Sequence, residues 1–245
     1  MPRPLPGIVW CRRLACAPGS ASRRGFTRTD LLVILAVVSV LAVIFLTARE
    51  RSVSQGRQAQ CVVNLQQVNR AILQYAADHG QRLPLLDPSP APGGWWWYKE
   101  LVKGYAGLRD APSTNEVVFA CPDDRGYADG PAKPTPFCRS ERHDYTSYVF
   151  NGVNLPGVPH LAGRLLSSVN RPALALLVME WTAHAPLSWH RSRTGRANTP
   201  FYNDAESVVG FADGHVALVP IYYDGLNAAY TRDPAPGYDY TYSGE

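Results

Sequence analysis

The side chains that could do acid–base or metal chemistry lie mainly in the C-terminal third of the chain. They are Glu180, His184, His190, Asp213 and His215. Histidine and carboxylate side chains are common general acids, general bases and metal ligands. Their spacing matches no HExxH-type pair, so the sequence favours a hairpin turn and ordinary surface histidines over a metal or catalytic site.

A second group of possible ligands lies in residues 123–130, a turn-rich loop with the sequence DDRGYADG. Oxygen ligands of this kind suit Ca²⁺, but their spacing falls short of an EF-hand loop. We predict solvated turn acids, with calcium as the alternative and no other cofactor. The chain also lacks a GxSxG elbow, a Ser/Lys pair, a P-loop and a dinucleotide fingerprint, so the sequence does not predict an enzyme.

A long apolar segment must organise the rest of the chain. Residues 31–48 (LLVILAVVSVLAVIFLTA) carry no charge, and only Ser39 and Thr47 are polar. As a helix they would span about 27 Å, close to the hydrocarbon thickness of a bilayer. A buried helix of a soluble protein usually keeps a polar stripe, so we predict one membrane-spanning helix.

The flanks of this segment favour an anchor with a cytoplasmic N-terminus. Residues 1–25 contain five arginines and no acid, and a positive flank of this kind stays in the cytoplasm. A secretory signal would end in a small-residue cleavage site, whereas the apolar run leads directly into Arg49-Glu50-Arg51. We therefore predict a bacterial inner-membrane, single-pass protein whose C-terminal part is periplasmic or extracellular.

The Gly25-Phe26 junction, followed by Asp30 and the apolar run, resembles the N-terminus of type IV pilin-like proteins, the prepilins and the pseudopilins of type II secretion. The resemblance implies that a prepilin peptidase cuts between Gly25 and Phe26 and removes residues 1–25 as a leader. It also implies N-methylation of Phe26 and a transmembrane helix over residues 26–48.

Asp30 lies five positions into the implied mature chain, where the family has an acidic residue that guides assembly. An ionisable group at the edge of a membrane helix costs about 1–3 kcal/mol, so it is best kept by a partner. The resemblance implies that this partner is the free amino group of a neighbouring subunit. The alternative is a local role, in which Asp30 favours the helix N-terminus and Thr29 is the cap.

Removal of the leader also changes the charge and the cysteine count. The formal charge of +4 falls to −1 without the five leader arginines, which argues against a nucleic-acid partner. A domain outside the cytoplasm can form disulfides. Cys121 and Cys138 flank a loop rich in Pro, Gly and Asp, so we predict a disulfide between them, with Cys61 free or packed on the helix. Zinc is the weaker alternative, since neither cysteine belongs to a CxxC pair.

Beyond the membrane segment, apolar side chains recur in steps of three and four, at Val62, Leu65, Val68, Ile72 and Tyr75. This spacing predicts an amphipathic helix over residues 49–79 that ends near Gly80 and could kink at Gly56. The Cys-x-x-Asn-Leu-x-Gln pattern in residues 61–67 resembles the matching helix of a bacterial branch of pilin-like proteins.

Residues 80–245 are expected to form the head. Four consecutive aromatic residues (95–98) follow a Pro/Gly-rich loop, and we predict that they pack this loop onto the helix; a carbohydrate or partner surface is the alternative. Asp213-Gly214 between two β-rich runs (207–212 and 215–220) predicts a hairpin with a type I′ turn. The Phe-Ala-Asp-Gly-His-Val motif resembles a C-terminal motif of the same bacterial branch, in which His190 would be the upstream histidine.

Together these features predict an α+β, pilin-like fold, with a long N-terminal helix packed on a small antiparallel sheet. The resemblance implies a structural subunit of a type IV pilus-like or type II secretion filament, whose partners are prepilin peptidase, other pilin-like subunits and membrane lipid. The alternative is a membrane-anchored periplasmic binding or adhesion protein, or an enzyme, that keeps a pilin-like N-terminus.

Overall fold

The computed structural model describes residues 25–85, 94–126, 134–152, 157–183, 187–190, 205–222 and 232–245. Its helices are α1 (Arg28–Asp78) and α2 (Tyr98–Val102), and its strands are β1 (Tyr148–Phe150), β2 (Leu176–Glu180), β3 (Glu206–Phe211) and β4 (Val216–Pro220). The chain divides into two compact units, Met1–Ala48 and Arg49–Glu245. Residues 1–24 of the predicted leader, His184 and Asp129 lie outside the described residues.

The first part of α1 exposes apolar side chains around its whole circumference. Every residue from Gly25 to Glu50 is exposed, and large aliphatic residues such as Val38 and Leu41 are more than half exposed. By length and composition, α1 is the one helix among the described residues that could cross a membrane. This is the segment for which the sequence predicts a transmembrane helix.

The second part of α1 is amphipathic, as its three- and four-residue spacing predicts. One face is buried against the head through side chains that are fully or almost fully removed from solvent: Cys61, Leu65, Val68, Ala71, Ile72 and Ala76. The helix runs unbroken through Gly56 and ends at Asp78, where Gly80 adopts a positive φ of 64°. The positive φ stops the helix at the predicted place.

The head contains one antiparallel sheet with the strand order β1-β2-β3-β4. Each strand pairs with the next along the chain; Val149 faces Met179 between β1 and β2, and Val208 faces Leu218 between β3 and β4. One face of the sheet packs against α1 and α2, and the other joins a smaller cluster that includes the C-terminal tyrosines Tyr240 and Tyr242. The predicted α+β class, with a long helix on a small antiparallel sheet, is confirmed.

The predicted hairpin is present between β3 and β4, but its turn differs from the predicted type I′. Gly214 has a positive φ of 101°, whereas Asp213 does not, and a type I′ turn requires positive φ at both positions. The amide of Phe211 instead donates to the carbonyl oxygen of His215, and that of Gly214 to Phe211. The result is a three-residue loop with glycine at its last position.

The four consecutive aromatic residues pack within the head rather than onto α1 alone. Trp97 and Tyr98 are buried against Phe150, with ring centroids 5.9 and 5.7 Å away. Trp96 lies 4.3 Å from the ring of His143. These contacts agree with the predicted packing role.

The predicted Cys121–Cys138 disulfide is wrong, because Cys121 is bonded to Cys61 and Cys138 is free. Cys61 lies on the buried face of α1, and Cys121, which is also buried, lies beside it. Cys138 lies in a short 3₁₀ turn whose backbone is held by Asp124, since the amide of Cys138 donates to that carboxylate over 2.9 Å. The observed bond therefore joins the helix to the head instead of closing the loop.

Candidate functional site

The start of α1 is held by a reciprocal cap between Thr27 and Asp30. The amide and hydroxyl of Thr27 donate to Oδ2 of Asp30 over 2.9 and 2.8 Å, and the amide of Asp30 donates to Oγ1 of Thr27 over 3.1 Å. This is a capping box, in which two helix-end donors are satisfied by one pair of side chains. Thr27, rather than the predicted Thr29, is the cap.

The predicted cleavage junction, Gly25-Phe26, directly precedes this cap and is exposed. Gly25 has no atom within 4 Å of the position that a Cβ would take, and Phe26 is 73% exposed. Among the described residues, no packed side chain therefore stands between a peptidase and the Gly25-Phe26 bond.

A buried histidine lies between two carboxylates in the described part of the head. Nε2 of His190 lies 2.8 Å from Oε1 of Glu180, and Nδ1 lies 3.2 Å from Oδ2 of Asp123. Glu180 and His190 are at most 2% exposed. Arg57 of α1 reaches Asp123 over 3.3 Å, so a helix residue completes the cluster. The prediction of an ordinary surface histidine is wrong for His190.

The two carboxylates control the protonation of this histidine. Burial by itself would lower the pKa of His190, but the charges and hydrogen bonds of Glu180 and Asp123 outweigh it and raise the pKa to about 10. At neutral pH both ring nitrogens can therefore donate, one to each carboxylate. The second oxygen of Glu180 accepts the amide of Val208 over 2.9 Å, which anchors this strand-end acid to β3.

The same cluster lies against the disulfide. Four buried residues each offer one potential metal-ligand atom: Cys61, Cys121, Glu180 and His190. These four atoms all lie within 4.8 Å of one another. The four residues are spread from position 61 to position 190 of the sequence, so no local motif reveals them. One signal was available in the sequence: Glu180 closes the apolar run LLVME, where a carboxylate would be buried and would need a partner.

The acids of the predicted calcium alternative are occupied by protein donors where the structure describes them. Asp124 accepts hydrogen bonds from the amides of Gly126 and Cys138 and from the hydroxyl of Ser147. Burial raises the pKa of Asp124, although these donors oppose the rise. Burial also raises the pKa of the free Cys138 thiol, to about 11, with the Asp124 charge contributing. Cys138 is therefore a thiol rather than a thiolate at neutral pH.

The hairpin residues Asp213 and His215 form a separate, exposed pair. Nδ1 of His215 lies 2.6 Å from Oδ1 of Asp213, and its ring stacks on Phe211 with centroids 4.2 Å apart. The expectation that these two residues belong to a hairpin turn with an ordinary surface histidine therefore holds.

A buried lysine in α2 makes a further ionic cluster that sequence reasoning missed. Nζ of the fully buried Lys99 lies 2.6 Å from Oε2 of Glu116 and 3.6 Å from Oδ1 of Asp144. It also donates to the backbone carbonyl of Asp144 and lies 5.4 Å from the ring centroid of Phe119. Burial raises the pKa of Asp144 to about 6, although the Lys99 charge opposes the rise.

No family model, curated protein or solved structure matches this chain.

Proposed function

We propose that the chain is a structural subunit of a type IV pilus-like or type II secretion filament, processed after Gly25 and assembled through α1. The observation that carries the proposal is the two-part surface of α1. Residues 31–48 expose apolar side chains in every direction, whereas the part from Cys61 onward buries one face in its own head.

An apolar surface of this size requires a partner that is not water. Thirteen large aliphatic or aromatic side chains from Leu31 to Leu46 are at least 46% exposed, far more than a soluble monomer tolerates in one contiguous patch. Lipid satisfies this surface before assembly. Neighbouring α1 helices satisfy it in a filament, where packing rather than hydrophobic transfer drives helix association.

Asp30 supports the proposal through its position at the first turn of this surface. Both Thr27 hydrogen bonds end on Oδ2, so the cap uses one oxygen of the carboxylate. In this proposal the other oxygen, Oδ1, pairs with the new amino group of Phe26 in a neighbouring subunit, as the pilin resemblance implies. A charge-assisted bond of this kind in a dry surrounding is strong and would set the axial register.

The first experiment tests processing by replacing Gly25 with leucine and measuring the N-terminus of the membrane-extracted protein by mass spectrometry. The native chain should begin at a methylated Phe26, and Gly25→Leu should retain residues 1–25. Gly56→Leu is the matched control, because Gly56 also has open space around its Cβ position but lies inside α1. A native chain that still begins at Met1 would overturn the proposal.

The second experiment separates processing from assembly. Asp30→Ala should leave cleavage intact, since Gly25 and Phe26 are unchanged, but should reduce incorporation into cross-linkable, sedimenting filaments by tenfold or more. Glu50→Ala, an exposed acid elsewhere on α1, is the control and should assemble normally. Unchanged incorporation of Asp30→Ala would remove Asp30 from the role proposed for it.

A further inference from the structure

We propose that the reduced head binds one Zn²⁺ ion through Cys61, Cys121, Glu180 and His190. The inference does not depend on filament assembly, because every ligand belongs to the unit Arg49–Glu245. The site would be an alternative to the disulfide: a cross-link when the two cysteines are oxidised and a metal centre when they are reduced.

The donor set and its spacing carry this proposal. Two thiolates, one imidazole nitrogen and one carboxylate oxygen form a four-ligand set of the types that Zn²⁺ prefers. The four candidate atoms lie within 4.8 Å of one another. In a tetrahedral zinc site the ligand atoms are about 3.3–3.8 Å apart, so the cluster needs only small side-chain movements once the sulfurs separate.

The outer hydrogen bonds are those that a zinc site requires. Nε2 of His190 faces Glu180, while Nδ1 faces Asp123, which in turn pairs with Arg57. A carboxylate on the far nitrogen fixes the ring orientation of zinc-bound histidines. The Val208 amide on Oε2 of Glu180 leaves Oε1 as the ligand oxygen. Asp123 and Val208 would thus orient two of the four ligands without touching the metal.

The burial of the cluster favours a structural site over a catalytic one. Cys61 and Glu180 are fully buried, and Cys121 and His190 are at most 2% exposed. All four coordination positions come from protein, as in closed structural zinc sites, whereas catalytic sites keep one position open to water or substrate. The metal would stabilise the contact between α1 and the head, as the disulfide does.

Exchange of the Cys61–Cys121 disulfide for the zinc site requires a reductant and the release of three protons. A water-soluble phosphine reduces the Cys61–Cys121 bond and takes up the oxygen of one water molecule, while the two water hydrogens protonate the sulfurs. Zn²⁺ then displaces both thiol protons and the proton on Nε2 of His190. Oxidised glutathione, a two-electron oxidant, converts the two cysteine thiolates back to the disulfide and leaves as two molecules of reduced glutathione; this removes both sulfur ligands, and the metal is released.

The test uses the full chain in detergent, reduced with a phosphine, freed of metal and titrated anaerobically with Co²⁺ as a spectroscopic probe. We expect thiolate-to-cobalt absorption in the near ultraviolet, tetrahedral d–d bands in the visible, and one-to-one displacement by Zn²⁺. The oxidised chain is the folded control and should show neither. Native mass spectrometry should find one Zn²⁺ per reduced chain, lost on reoxidation.

Variants distinguish the built site from adventitious thiol binding. His190→Gln and Glu180→Gln should each weaken Zn²⁺ affinity at least tenfold and change the Co²⁺ spectrum, and Asp123→Asn should weaken it 10- to 100-fold as a positioning residue. Cys138→Ser and His215→Gln should change neither. Absence of tetrahedral Co²⁺ bands in the reduced wild type, equal binding by the oxidised chain, or spectra unchanged in His190→Gln and Glu180→Gln would each overturn the proposal.

Discussion

The two halves of α1 belong to one helix but present opposite kinds of surface. Residues 31–48 are apolar on all sides and exposed along their whole length, whereas residues 61–76 are apolar on one face and bury it. Leu41 is 59% exposed and Leu65 is fully buried, although both are leucines in regular helix. The same backbone therefore serves two environments.

This comparison shows that side-chain pattern, rather than helix formation, decides what each half contacts. A helix that is apolar all round needs lipid or other helices, whereas an apolar stripe is satisfied by one packed neighbour. The first half depends on something outside the chain, and the second half depends on the head. Four measurements test this division.

The largest effect is expected from placing charge in the first half. Val38→Arg combined with Leu41→Arg should weaken membrane insertion by about 6 kcal/mol, since each central arginine costs about 3 kcal/mol. Carbonate extraction of membranes should release the double variant. Gln66→Arg with Gln67→Arg, on the exposed face of the second half, should stay membrane-bound. Equal retention of both variants would contradict the division.

The next effect concerns the disulfide that ties the second half to the head. Replacing Cys61 and Cys121 with alanine should lower the free energy of unfolding by about 4 kcal/mol, because the bond closes a loop of 60 residues. Denaturant unfolding of the oxidised protein in metal-free buffer measures this loss. Cys138→Ser is the control and should change the free energy of unfolding by less than about 1 kcal/mol. If Cys138→Ser lost as much stability as the double alanine variant, the assignment of the disulfide to Cys61 and Cys121 would be wrong.

A matched pair of leucines tests the division directly. Leu65→Ala should destabilise the head by about 3 kcal/mol through lost burial and a cavity. Leu41→Ala should leave the free energy of unfolding of the head unchanged, because Leu41 is 59% exposed and belongs to the other unit, Met1–Ala48. Similar losses from both substitutions would show that the two halves are not independent.

The smallest effect is a pH dependence confined to the head. The pKa of Asp144 is raised to about 6 in the folded protein, so its contribution to stability is fully present below about pH 4 and is lost as pH rises through 6. Asp144→Asn should flatten the stability profile between pH 4 and 7, and asparagine tolerates the positive φ of 49° at this position. Membrane retention should not change with pH in either protein. An unaltered profile in the variant would place the titration elsewhere.

Sequence patterns recovered α1 and the β3–β4 hairpin because both depend on local signals. The spacing from Val62 to Tyr75 gave the buried face, and Gly80 gave the end of the helix. Asp213-Gly214 located the hairpin, although the turn type depended on backbone angles that the dipeptide alone does not determine.

The site in the head could not be predicted in the same way, because its residues meet only after folding. His190 and Asp123 are 67 positions apart, and Cys61 and Cys121 are 60 apart. Proximity along the chain favoured Cys138 as the partner of Cys121, but the buried face of α1 brings Cys61 closer. Lys99 was missed for the same reason, since its partners Glu116 and Asp144 come from two other loops.

The Cys61–Cys121 bond has a mechanical consequence for any subunit that is pulled by its N-terminal end. Tension applied to α1 passes into the head through a covalent link near the first buried turn, before it reaches the non-covalent contacts at Leu65 and beyond. The helix therefore cannot peel away from the head residue by residue. Under load, the oxidised protein should yield by unfolding the head itself, at a higher force than the reduced one.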